Sequence, residues 1–347
     1  MYSQAKVAFM LMVGQEPRSP PIEIDVGRDI LAVAFSANGK HLVSGGSDGI
    51  QVYRVKDGEK IASIMKRSVR CLTASKDGKW IAAVIGPGSW FIVWDATTYK
   101  KVFVSPEYSA FISGVDFSPD SPTRLVTAYS RSIAIVWDVA LGKEVEPRLD
   151  HTGIVTTVKY SLHGDRIATA TQESVRVWDS KDGRFLMNIP VAVILFRNTG
   201  LLWFSDNHIF VISDGTIKEF EASSGSAVSE WPVSDTKHLS CIALPKYGDF
   251  VAHSTKNTIT FWDMSMHTQL ALIQCPHNIR SIAFSPDDQF LAIGSEDGKV
   301  VMKSLSHVTV SSVSLCIRMC LDNFFVPIHN FMIPYTSHFT GTRHPDQ

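Results

Sequence analysis

Charge is scarce in this sequence and its signs balance: 33 Lys and Arg face 34 Asp and Glu among 347 residues, a formal net charge of -1. No long-range field therefore steers phosphate toward the chain, and the densest basic run, Lys66-Arg67-Ser68-Val69-Arg70, is a short loop cluster. Nucleic acid and membrane are accordingly not expected as partners. Paired cysteines are missing too. The five present, Cys71, Cys241, Cys275, Cys316 and Cys320, are an odd set without framework spacing, and no Asn-X-Ser/Thr occurs. Reduced thiols in the cytoplasm, or the nucleus, are the expectation. The apolar run Val7 to Val13, with one lysine ahead of it, is marginal for an export signal and too short to span a bilayer. Nowhere is there a sustained 3.6-residue apolar period, so almost no helix is expected.

Catalytic signatures are equally sparse. No G-x(4)-G-K-[ST] exists: Gly39-Lys40, Gly78-Lys79, Gly142-Lys143 and Gly298-Lys299 all lack the following Ser or Thr. No H-E-x-x-H occurs, and Cys316, Cys320, His329 and His338 do not have finger spacing, so neither metal nor cofactor is expected. Gly45-Gly46-Ser47-Asp48-Gly49 fits the G-x-S-x-G of esterase nucleophiles. That chemistry needs a strand-to-helix elbow, whereas this loop has a counterpart in Gly294-Ser295-Glu296-Asp297-Gly298 and reads as a turn between strands.

What the sequence does hold is a beat. The stretch Gly164 to Asp179, GDRIATATQESVRVWD, reads as two short strands joined by a polar turn and closed by Trp-Asp. Its aromatic slot recurs at Tyr53, Trp94, Trp137, Trp178, Phe220 and Trp262, then at Lys303, at intervals of 41, 43, 41, 42, 42 and 41 residues. A second mark in the strand that opens each unit, at Ser36, Ser75, Ser118, Ser161, Ser205, Pro245 and Ser285, keeps the same period. Each unit reads as four short strands. Four-stranded units repeating near 42 residues select a propeller, because no single unit can bury its own apolar face.

With four literal Trp-Asp pairs, at Trp94-Asp95, Trp137-Asp138, Trp178-Asp179 and Trp262-Asp263, the seven units resemble WD repeats. The expected fold is all-β, a seven-bladed β-propeller over residues 22–305, with an irregular leader at 1–21 and a non-repeat tail at 306–347. The aromatic slot, Trp94, Trp137, Trp178 and Trp262 above all, is expected to fill the wedge between blades. Two segments compete to complete the last blade: Ile22 to Val26 is preferred over His307 to Val313, since joining the chain ends removes a sheet edge. In the fifth unit LLWFSD is taken as the opening strand, although VAVILFRNT just before it could serve. The family's supporting set is only partly present, as His151, Thr169 and Glu173, as Ser44 and Asp48, and as His277 and Asp297.

The resemblance implies a rigid, non-catalytic scaffold that binds a protein or peptide on the narrow face around the channel. Alignment to the family's contact slots points to Asp29, Arg70, Phe111, His238, Asn278 and Arg280, with Trp90 as a further exposed anchor; arginine and aromatics are the residues most often found in hot spots. Segments such as VWDATTYKKV and FSPDDQFLAIGSEDGKV are similar to fungal WD-repeat segments that accompany NACHT-type NTPases, which implies a sensor or ligand-recognition module. The competing expectation is a small-molecule enzyme with Asp29, Asp116, His238 and Arg280 converging in the channel.

Overall fold

The computed structural model describes residues 20–191, 200–234 and 240–305. Those residues form seven four-stranded antiparallel sheets arranged as the blades of a propeller, and no helix occurs among them. Blades 1 to 6 span 30–65, 69–104, 112–150, 155–189, 201–232 and 240–274. In blade 4 the inner-to-outer order is Val155–Tyr160, Arg166–Thr171, Val175–Asp179 and Phe185–Ile189. Blade 5 opens with Leu201–Trp203, within the preferred LLWFSD, while residues 192–199 of the rival segment lie outside the described residues.

Blade 7 is built from both ends of the described chain. Ile279–Phe284, Phe290–Ser295 and Lys299–Ser304 supply three strands, and Ile22–Asp25 supplies the outer one, pairing Ile22 with Met302 and Ile24 with Val300. Ile24 and Val26 are buried beside Phe35, Tyr53 and Val55 of blade 1, so the closing strand seals an interface as well as an edge. The competitor His307 to Val313, the residues 1–19 and the tail from 306 lie outside the described residues.

The two sequence marks have separate physical causes. In the first hairpin of a blade the recurrent serine accepts a backbone N–H five residues on and donates to a carboxylate or amide: Ser75 Oγ to Asp77 at 2.6 Å with Trp80 N to Ser75 Oγ at 2.9 Å, and Ser285 Oγ to Asp287 at 2.6 Å with Phe290 N at 2.9 Å. The aspartate of each Trp-Asp pair folds the next turn by accepting N–H groups two or three residues on, as Asp138 does from Ala140 and Leu141 and Asp263 from Ser265 and Met266.

The tryptophans are wedges. Trp94 and Trp137 are fully buried, Trp178 is buried, and Trp262 is partly so. Trp137 meets Phe91 and Phe103 of blade 2 at centroid distances of 5.3 and 5.8 Å, while its indole N–H donates to Thr127 Oγ1 at 2.8 Å. Trp178 joins a cluster reaching back to Val126 and Ala128 of blade 3. Blades are also stitched by polar contacts near the axis: Ser113 Oγ donates to Val155 O, Tyr160 N to Asp116, and Lys246 and Tyr247 N–H to Asp288.

The supporting sets are incomplete in different ways. His277 Nε2 lies 3.4 Å from Asp297, and Asp48 has been recruited by Arg28. Glu173 is exposed and gives His151 no bond. His151 instead stands edge-on to Trp178 at 5.3 Å, and both its ring nitrogens lack a partner.

Candidate functional site

Each blade presents two kinds of loop. The crossovers from one blade's outer strand to the next blade's inner strand emerge on the same face as the turns between second and third strands. Ser47 N donates to Asp29 O, Gly86 N to Ser68 O, Ser130 N to Phe111 O and Glu296 N to Asn278 O, which ties the two loop types together. The loop from 45 to 49 is such a turn between two strands; no strand-to-helix elbow is formed. Asp29, Arg70, Phe111, Asn278 and Arg280 all lie at this crossover face, at or just before an inner strand. His238 falls outside the described residues.

The structure sorts them into two sectors. At the seam of blades 7 and 1, Arg280 lies 3.4 Å from Asp29 and 3.2 Å from Glu296, whose other oxygen accepts Asn278 Nδ2 at 2.8 Å. Beside them, Arg28 makes a two-nitrogen contact with Asp48 at 3.0 and 3.2 Å, and His277 faces Asp297. Arg28, His277 and Arg280 each stand against a carboxylate.

Blades 2 and 3 are different. The Arg70 guanidinium lies 5.9 Å from the centroid of Phe111, and Arg67 lies 6.0 Å from that of Trp90. The stem of Arg70 passes over Gly88, where a Cβ would come within 2.8 Å of Arg70 Cδ; with φ at +97° as well, that position requires glycine. Phe111 is held from behind, its N–H donating to Ser130 Oγ at 3.0 Å and its carbonyl accepting Ser130 N, while its ring stays 54% exposed. Ile154, in the equivalent position of blade 4, is 37% exposed. Trp90 is not a free loop residue: it opens the strand Trp90–Asp95 and is half-buried against the cluster around Ile50 and Trp94.

The channel candidates do not converge. Asp116 is committed to the Tyr160 N–H and to Lys159 Nζ at 3.3 Å, whereas Asp29 and Arg280 pair on the opposite side of the ring. No group of three or more metal-ligating side chains occurs among the described residues. On the other face a cleft of about 390 Å³ lies between blades 3 and 4, lined by residues including Asp120, Arg124, Asp165 and Lys181. Two of its carboxylates are spent on local turns, Asp165 on Ser161 and Asp179 on the Lys181 N–H.

Sequence reasoning placed Ile154 in a family contact slot but did not bring out Arg67, Arg131 and Glu296 as members of these sectors. The run from Lys66 to Arg70 signals the two arginines, but only the fold shows that each has a ring beneath it.

Comparison with known proteins agrees with this architecture. A family model described as WD domain, G-beta repeat matches residues 25–50, 144–179 and 269–302. The chain is 24% identical over 253 residues, 70% of its length, to the U3 small nucleolar RNA-associated protein 15 homolog of Xenopus laevis, and 25% identical over 281 residues to the serine-threonine kinase receptor-associated protein of Gallus gallus, spanning 78% of each. It is 25% identical over 153 residues, 41% of its length, to the small ribosomal subunit protein RACK1y of Oryza sativa subsp. japonica. The aligned part covers 47% and 45% of the Xenopus and Oryza relatives, about half of each.

Proposed function

We propose that this chain, which belongs to the WD40-repeat family, is a non-catalytic platform whose crossover face binds a protein or peptide. The observation that carries the reading is the pair of arginines, the exposed Arg67 and the half-buried Arg70, resting on aromatic rings beside the exposed Phe111 on a ring whose backbone is locked by sheet pairing. Arginine and aromatic side chains fixed in advance lose little entropy on binding, which is what a hot spot requires. Relatives named for association with a receptor and with a ribosomal subunit support a role inside assemblies. Fold alone never carries function, so the proposal stands on the sector.

Its finer form is a recognition module of the kind that accompanies NACHT-type NTPases, supported by the style of the repeat segments. A lack of nucleic-acid or membrane contact belongs to the same proposal and rests on the balanced charge, and an intracellular location rests on the five cysteines without framework spacing.

The test is affinity capture by the full chain beside an Arg70→Ala/Phe111→Ala/Arg280→Ala variant, with circular dichroism and melting to establish equal folding. Partners retained by the wild-type chain and lost by the variant are expected; equal recovery overturns the crossover face as the binding surface.

A further inference from the structure

Resting on the reading of the crossover face as a binding platform, we infer that the sector of blades 2 and 3 takes an acidic peptide, in which glutamate or aspartate flanks an apolar side chain. The first reason is charge. Among the described residues, Lys66, Arg67, Arg70 and Arg131 have no carboxylate oxygen within 4 Å, whereas Arg28, His277 and Arg280 on the same face each have one. In a chain whose net charge is -1, four cations without carboxylate partners on adjacent blades are a local excess that the fold has left uncompensated. The nearest acid on that stretch of crossover, Glu107, is engaged by Ser89 Oγ at 3.0 Å.

The second reason is geometry. A ring beneath a guanidinium holds its plane and leaves the N–H edge outward, the arrangement that receives a carboxylate through two parallel hydrogen bonds. The guanidiniums of Arg67 and Arg70 lie over the rings of Trp90 and Phe111, 6.0 and 5.9 Å from their centroids. Gly88, which gives the Arg70 stem its path, also accepts the Ile112 N–H at 2.5 Å, so the blade 2 turn and the start of blade 3 form one support.

The third reason is the apolar surface between the cations. Phe111 and Ile154 stand at matching positions on neighbouring blades, whose inner strands are joined by the Ser113 Oγ bond to Val155 O. They offer an apolar side chain a seat between the charge contacts. Four cations and two apolar residues suit a short peptide better than a polyanion, which wants a longer basic track.

Fluorescence anisotropy with the full chain tests this, using a short labelled peptide of glutamates flanking one leucine, its glutamine counterpart, a phosphoserine counterpart and a labelled oligonucleotide. The glutamate peptide is expected to bind about tenfold or more tighter than the glutamine one, and to weaken as salt rises. Arg67→Glu/Arg70→Glu should lose about tenfold or more. The milder Arg67→Gln/Arg70→Gln pair should lose affinity in the same direction, and Arg54→Gln, on the opposite face, should lose none. Equal binding of the glutamate and glutamine peptides overturns the inference, as does tighter binding of the oligonucleotide, or binding of the phosphoserine peptide alone. Failure of every peptide, with partner capture still lost in the triple variant, overturns the acidic ligand and leaves the platform standing; failure of both removes both.

Discussion

The two sectors of the crossover face use the same residue types to opposite ends. At the seam of blades 7 and 1, arginine meets carboxylate, Arg28 with Asp48 and Arg280 with Asp29 and Glu296, where the first and last described strands are paired. In the sector of blades 2 and 3, Arg67 and Arg70 have no carboxylate within 4 Å among the described residues and lie over the rings of Trp90 and Phe111. A cation whose partner is within the molecule serves the fold, and one whose partner is missing is left for something outside it. Slot-by-slot alignment does not distinguish these cases, since Arg70 and Arg280 occupy equivalent positions.

The comparison breaks first if the ring itself is not held as described. Trp137→Ala should cost about 3–5 kcal/mol, because it empties the wedge against Phe91 and Phe103 and removes the indole donor from Thr127 Oγ1. Urea unfolding measures it, and an unchanged midpoint would refute the wedge. Ile24→Ala, at the closing strand, should cost about 2–3 kcal/mol, with early loss of amide protection along Lys299–Ser304.

Acidity acts on buried histidines rather than on the arginines of either sector. Burial, with a smaller contribution from Arg176, lowers the His151 pKa to about 4, and burial alone does the same for His253. Both folded values lie below the ordinary value near 6.5, so between pH 6.5 and 4 the unfolded chain holds protons that the folded chain refuses. Stability should therefore be level above pH 6.5 with respect to these groups and fall as pH drops toward 4. Melting temperatures across that range test it, and His253→Gln should flatten part of the slope.

The smallest effects sharpen the comparison most directly. Arg280→Ala leaves Asp29 and Glu296 without their cation and should cost about 1 kcal/mol. Arg70→Ala should change stability by less than about 0.5 kcal/mol, since it removes a solvent-facing ring contact and leaves no carboxylate without its cation. Thermal melts of the two variants side by side would erase the distinction if Arg70→Ala proved the more costly.

Much of the fold could be read from the linear sequence because its marks are local. Asp138 and Asp263 fold turns with N–H groups two and three residues away, and Ser75 bonds within five residues, so a repeated turn leaves a repeated residue. Period and strand count follow from that. The closing strand was legible as alternation in Ile22 to Val26, and its pairing with Lys299–Ser304 agrees with the preference for joining the chain ends.

The site was only half legible. Family slots lead to Asp29, Arg70, Phe111, Asn278 and Arg280, but contacts such as that between Arg70 and Phe111 join different blades, as do those between Arg280 and Asp29. By itself the sequence determined the repeat, the turns and the apolar wedges, since each depends on residues close along the chain. Only the tertiary structure decided which arginines are neutralised and which stay open, because that depends on what the neighbouring blade brings within a few ångströms.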